Sequence, residues 1–158
     1  MKKLGLLVIA FVMAVTFAAC GTKGAAPVSF EANGVAVTAE VPKTGWYSEQ
    51  RTNTVYYYNV ATKDEVDSGS PRVQVVIENK AESFDRYKDS FENLDDLGTK
   101  TIGGIEMTGR AYKYVGMDWN EYFGTLDSTK AVSVKCSKVD MSSDEVMGIL
   151  NSIKLEKK

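Results

Sequence analysis

The pair Asn33-Gly34 sits between two runs of β-prone, alternating residues, Val28–Ala32 and Val35–Val41, in the stretch VSFEANGVAVTAEVP. Asn-Gly is the favoured pair for a two-residue turn with both central residues at positive φ, and that turn matches the twist of an antiparallel pair. A β-hairpin is therefore expected, with Pro42 closing its second strand. The same punctuation recurs downstream, where Gly103-Gly104 is set to turn a second hairpin into a strand from Ile105 to Val115.

Other segments carry a two-residue period. Asn53–Val60 (NTVYYYNV) is aromatic and β-branched, a composition that favours strands. The polar stretch ATKDEVDSGSP reads as a loop, and Val73, Val75 and Ile77 alternate with Gln74 and Val76 in the strand that follows. DWNEYFGT and KAVSVKCSKV supply two further strands, joined through Leu126–Thr129. The period changes twice. Phe84, Tyr87, Phe91 and Leu94 recur at helical spacing, which predicts a helix with Ser83 as N-cap and Gly98 as its stop. Near the end, Ser142 and Glu145 have capping-box spacing before Val146, Ile149, Leu150 and Ile153, which predicts a terminal helix with that buried stripe. Strands joined by short turns, with two helices to cover them, predict an α+β domain: a central antiparallel sheet with helices packed on it.

The first residues have a separate logic. Lys2 and Lys3 precede an uncharged run from Leu4 to Ala19, which is short for a permanent membrane span of about 20 residues and has the layout of an export signal. Ala18 and Ala19 close that run with Cys20 and Gly21 after them, and this resembles the lipobox of bacterial lipoproteins. The resemblance implies cleavage after a signal peptide at 1–19 and a diacylglycerol on Cys20, which two acyl chains make a stable anchor. It also implies that Cys20 cannot pair with Cys136, the one other cysteine. Residues 20–27 then form a lipidated cysteine and a flexible tether, and 28–158 a single domain.

Three stretches, VTAEVPKTGWY, ESFDRYKDSFENL and DEVMGILNSIKL, together resemble the PsbP-like fold. That resemblance implies α/β/α layers, with binding or assembly work and no shared catalytic motif.

The chemistry that residues permit is narrow. The chain has no histidine, which removes the usual general base and the usual transition-metal ligand. No cofactor or metal is expected; Asp64, Glu65 and Asp67 lack the spacing of a calcium loop. Cys136 shares strand parity with Val132 and Val134 and reads as a core thiol. Without Lys2 and Lys3 the chain carries 17 basic against 21 acidic residues, a net charge of −4, which argues against nucleic acid as a partner.

The distinctive feature is aromatic. Tyr56 and Tyr58 share one strand face, and Tyr112 and Tyr114 share another with Arg110. If that side of the sheet is open, these five residues form a surface for an envelope protein or glycan, with Arg110 meeting an acidic group. Membrane contact is expected through the lipid on Cys20. Two other functions stay open: an envelope hydrolase or transferase working through carboxylates, marked by two carboxyl groups converging on a cleft, and a carrier of small apolar ligands, marked by an enclosed apolar cavity.

Overall fold

A computed structural model describes residues 24–79 and 88–158. Ten strands and one helix are present among them: β1 (Ala25–Ala32), β2 (Val35–Pro42), β3 (Tyr47–Arg51), β4 (Thr54–Tyr58), β5 (Arg72–Glu78), β6 (Glu92–Ile102), β7 (Ile105–Tyr114), β8 (Met117–Thr125), β9 (Ala131–Ser137), α1 (Asp144–Ser152) and β10 (Lys154–Lys157). They form two antiparallel sheets, β1-β2-β10 and β3-β4-β5-β9-β8-β7-β6. The fold is mostly β. This overturns the expected α+β arrangement of a sheet with helices packed on it, and with it the α/β/α layers that the PsbP-like resemblance implied.

The difference comes from the middle of the chain. Glu92–Ile102 is a strand paired with β7, and Lys88–Ser90 is a single 3-10 turn. Ser83, Phe84 and Tyr87, the first half of the predicted helix, lie outside the described residues. Gly98, expected to stop that helix, instead sits at positive φ beside a register shift in β6, where the left-handed conformation accommodates a bulge. The Gly103-Gly104 turn, with both residues at positive φ, brings Ile102 opposite Ile105. Once that hairpin closes, β7 provides a ladder of backbone partners for 92–102, and this non-local pairing outweighs the helical spacing of Phe91 and Leu94.

The hairpin at Asn33-Gly34 forms as expected, with φ of 49° and 75° at the two residues and Ala32 opposite Val35. Pro42 closes β2. β1 begins at Ala25, inside the segment read as a tether. The terminal helix is capped by Ser143, whose hydroxyl accepts from the Val146 amide at 3.3 Å, and not by Ser142. Ser142 bonds Asp140 instead, and Glu145 accepts from the Trp46 indole N–H at 3.1 Å. The expected capping pair is thus divided between a loop and a tertiary contact. Beyond Ile153 the chain enters β10, which pairs with β2.

Alternation decides which side chains go inside. Val35, Val37, Ala39 and Val41 of β2 join Val55 and Tyr57 of β4, Val73, Val75 and Ile77 of β5, and Val132, Val134 and Cys136 of β9 in one core. α1 adds Val146, Ile149 and Leu150, the stripe its spacing predicts. β1 lies by β3 and β4, while Met147 of α1 reaches Lys100 of β6. The second layer therefore covers the inner face of the seven-stranded sheet along most of its width.

Contacts at both ends align the two sheets, Asn33 with Ile77 at one and Asn59 with Gly45 at the other. At one end, the Asn33 side chain donates to the Ile77 carbonyl and, together with Asn79, holds the Lys130 ammonium. At the opposite end lie the start of β1, where the Lys43 amide donates to the Gly24 carbonyl, and the turn between β7 and β8.

Tyr57 is fully buried in this core, and its hydroxyl has no hydrogen-bond partner among the described residues. An unpaired buried polar group is destabilising by about 1–3 kcal/mol. Tyr57→Phe is expected to raise stability by about 1 kcal/mol in urea unfolding, with an unchanged m-value. A loss of stability would show that the hydroxyl has a partner.

Candidate functional site

The outer face of the seven-stranded sheet carries Tyr56, Tyr58, Tyr112, Tyr114, Trp119 and Phe123, while Tyr57 faces the core. Register places Arg110 of β7, Glu121 of β8 and Lys135 of β9 directly opposite one another on that face. Cross-strand neighbours of opposite charge attract, and here the geometry is tight. The Arg110 Nε donates to Glu121 Oε2 at 2.7 Å, the Ser133 hydroxyl to Oε1 at 2.5 Å, and the Lys135 ammonium lies 3.3 Å from Oε1. Glu121 is 1% exposed. Burial pushes its carboxyl pKa up, but Lys135, the Ser133 hydroxyl and Arg110 together outweigh that and hold it below its ordinary value.

Rings enclose the guanidinium of Arg110. Its Cζ lies 4.5 Å from the Phe123 ring centroid, 5.0 Å from Phe91 and 5.5 Å from Tyr112. Phe91 stacks on Tyr112 at 4.0 Å and meets Tyr114 edge-on at 5.6 Å. Such contacts are strongest where water is excluded, and Arg110 and Tyr112 are both buried. Burial, and then the Glu121 charge, raise the Tyr112 phenol pKa.

A second arginine joins this cluster to the other side of the sheet. Arg72 donates to the Ser68 and Ser70 carbonyls and to Gln74, and its Cζ lies 5.0 Å from the Trp119 ring. It binds the 61–71 loop to the sheet. Beyond it, Tyr47, Tyr58 and Tyr56 form a stack: Tyr58 is parallel to Tyr56 within 3° at 5.3 Å and to Tyr47 within 14° at 6.5 Å. Arg51 lies over Tyr56 and is ion-paired with Glu49.

The five residues singled out in the sequence therefore fall on one face but in two groups. Tyr56 and Tyr58 lie on β4 and Arg110, Tyr112 and Tyr114 on β7, with β5, β9 and β8 between them. Tyr56 and Tyr114 are half-buried, while Tyr58, Tyr112 and Arg110 are buried. The acid that meets Arg110 is the chain's own Glu121. Cys20 lies outside the described residues. Sequence reasoning missed Arg72, Glu121 and Phe91 as members of this face. Glu121 was accessible through parity, being flanked on its strand by Trp119 and Phe123.

Carboxylates elsewhere serve local structure. Asp67 accepts from the Ser70 hydroxyl and the Gly69 amide, which hold its pKa down, and Glu65 accepts from Thr62 and the Ala61 amide. Asp96 lines a cleft of about 390 Å³ with Asp95, Lys88, Arg110 and Phe123, and accepts from Gly98 in its own bulge at 2.7 Å. Among the described residues no three Cys, Asp or Glu side chains are grouped to hold a metal ion. Cys136 is buried, and burial pushes its thiol pKa up to about 12.

No family model and no curated protein matches this chain. A crystal structure of a protein from Bacteroides thetaiotaomicron aligns with 77% of it at 12% identity and a TM-score of 0.41. The chain spans 46% of that protein's length.

Glu121→Gln removes the negative charge between two cations and is expected to destabilise by about 3–5 kcal/mol at neutral pH. The pH dependence has a definite sign. A carboxyl with a depressed folded pKa contributes stability that is present above its unfolded value of about 4.3 and lost as pH falls through the folded value. Wild type should therefore lose stability below about pH 4 more steeply than Glu121→Gln in chemical denaturation. Parallel acid limbs for the two proteins would refute the assignment.

Proposed function

We propose that this chain is a lipid-anchored, non-catalytic binding or assembly module of a bacterial envelope. The amino-terminal pattern of Lys2-Lys3, an apolar run and Ala18-Ala19-Cys20-Gly21 supports export and a diacylglycerol on Cys20.

The observation that carries the binding reading is the aromatic outer face. Tyr47, Tyr56, Tyr114 and Trp119 are half-buried: Tyr47 and Tyr56 stack on the buried Tyr58, Tyr114 meets Phe91 edge-on, and Trp119 lies against Arg72. Aromatic rings held in fixed rotamers offer contact area with little rotamer entropy left to lose, which suits recognition of an envelope protein or glycan. Glu121, with its pKa held low by two cations, is poorly suited to donate a proton at neutral pH, so the face favours binding over acid–base chemistry.

The test is crosslinking in membranes with wild type, Cys20→Ser and a Tyr56→Ala/Tyr114→Ala double variant. A specific partner is expected with both wild type and Cys20→Ser, and its yield should fall roughly tenfold in the double variant, the scale of a lost aromatic anchor. Undiminished yield from the double variant would move recognition off this face. Mass spectrometry of the mature amino terminus checks the anchor separately, and an unmodified Cys20 would remove it.

A further inference from the structure

Val115 stands out on two independent grounds. It is 81% exposed, against 47% for Leu94 and 38% for Leu97, the other large apolar residues exposed among those described. A single exposed valine is ordinary. Its backbone is not: φ is 49°, the left-handed region that asparagine and glycine enter readily and a β-branched residue enters only with strain. Asn33 and Asn93 share that conformation, whereas Val115 is the one apolar residue among the five non-glycine residues recorded there. Val115-Gly116 is the two-residue turn between Tyr114 and Met117. The turn therefore accepts both a strained backbone and an apolar tip in water.

Its place in the fold supplies the reason. Tyr114 and Met117 lie at the same end of the sandwich as Tyr58 and Arg72, which the registers connect through β5, β9 and β8. Gly24 and Lys43 are bonded at that end too. The stretch from Gly24 back to Cys20 reaches no more than about 14 Å fully extended. A lipid on Cys20 would hold this end of the domain at the bilayer.

We propose that the Val115-Gly116 turn inserts into the lipid interface beside the anchor, as a second membrane contact that orients the domain. This rests on the lipid-anchored reading above. Val115 enters the acyl boundary, and the half-buried rings of Tyr114 and Trp119 lie behind it, suited to the headgroup level by their apolar bodies and polar tips. The strained turn keeps an apolar side chain at the position where asparagine would relax the backbone.

The experiment uses the full chain purified in its processed form, with the Cys20 adduct first checked by mass spectrometry. Val115→Cys, or Ser128→Cys in the exposed turn at the opposite end, is labelled with an environment-sensitive fluorophore; Cys136 is buried and stays unlabelled. The protein is reconstituted in phosphatidylcholine vesicles containing a brominated-chain phosphatidylcholine. Quenching at 115 at least threefold greater than at 128 is expected. In a separate arm, Val115→Asn should raise the thermal midpoint and, in a Thr44→Cys reporter at the same end, reduce quenching. A confirmed adduct with equal quenching at 115 and 128 overturns this inference alone, whereas a missing adduct overturns the anchored reading and this inference together. A blue shift at 115 that follows protein concentration without lipid assigns the tip to contact between copies and also overturns it.

Discussion

A seven-stranded sheet has two faces, and among the described residues a three-stranded sheet and one nine-residue helix are set against it. That material covers the inner face. On the outer face the described side chains satisfy one another, and the solution is visible residue by residue. The buried carboxylate of Glu121 lies between Arg110 and Lys135, and the Arg110 guanidinium lies among Phe91, Tyr112 and Phe123. Each charge is satisfied by a neighbour in register, so the apolar rings beside it can be close-packed.

Rigidity and the proposed recognition are linked through this arrangement. Arg72 ties the 61–71 loop to Trp119, and Arg110 fixes the β7–β8 rungs. Half-buried rings at Tyr56, Tyr114 and Trp119 consequently stand on a support whose polar atoms are already paired. The same pairing argues against proton transfer: a carboxyl stabilised in its charged form by two cations is a poor acid, and Cys136, buried with its thiol pKa raised, is a poor nucleophile.

The two ends of the sandwich differ in a comparable way. At the Asn33 end the turn is polar and bonded to Ile77, Asn79 and Lys130. At the Gly24 end the β7–β8 turn is apolar and strained at Val115. A left-handed residue adjoining glycine is common to both turns, but asparagine fits that backbone without penalty and valine does not.

Local chemistry was legible in the sequence. Asn33-Gly34 and Gly103-Gly104 specified their turns because positive φ at two adjacent positions is a property of the residues themselves. Parity put Cys136 with Val132 and Val134, and the spacing of Val146, Ile149 and Leu150 gave the buried stripe of α1, since side-chain direction follows from backbone period alone. The tertiary structure decided the rest. Glu92–Ile102 became a strand because β7, reached through a closed hairpin, supplied its hydrogen bonds; Glu145 left its expected cap for Trp46; Tyr112 was buried by Phe91. In each case the deciding partner lies across a turn or far along the chain, and a pattern read in a short window has no access to it.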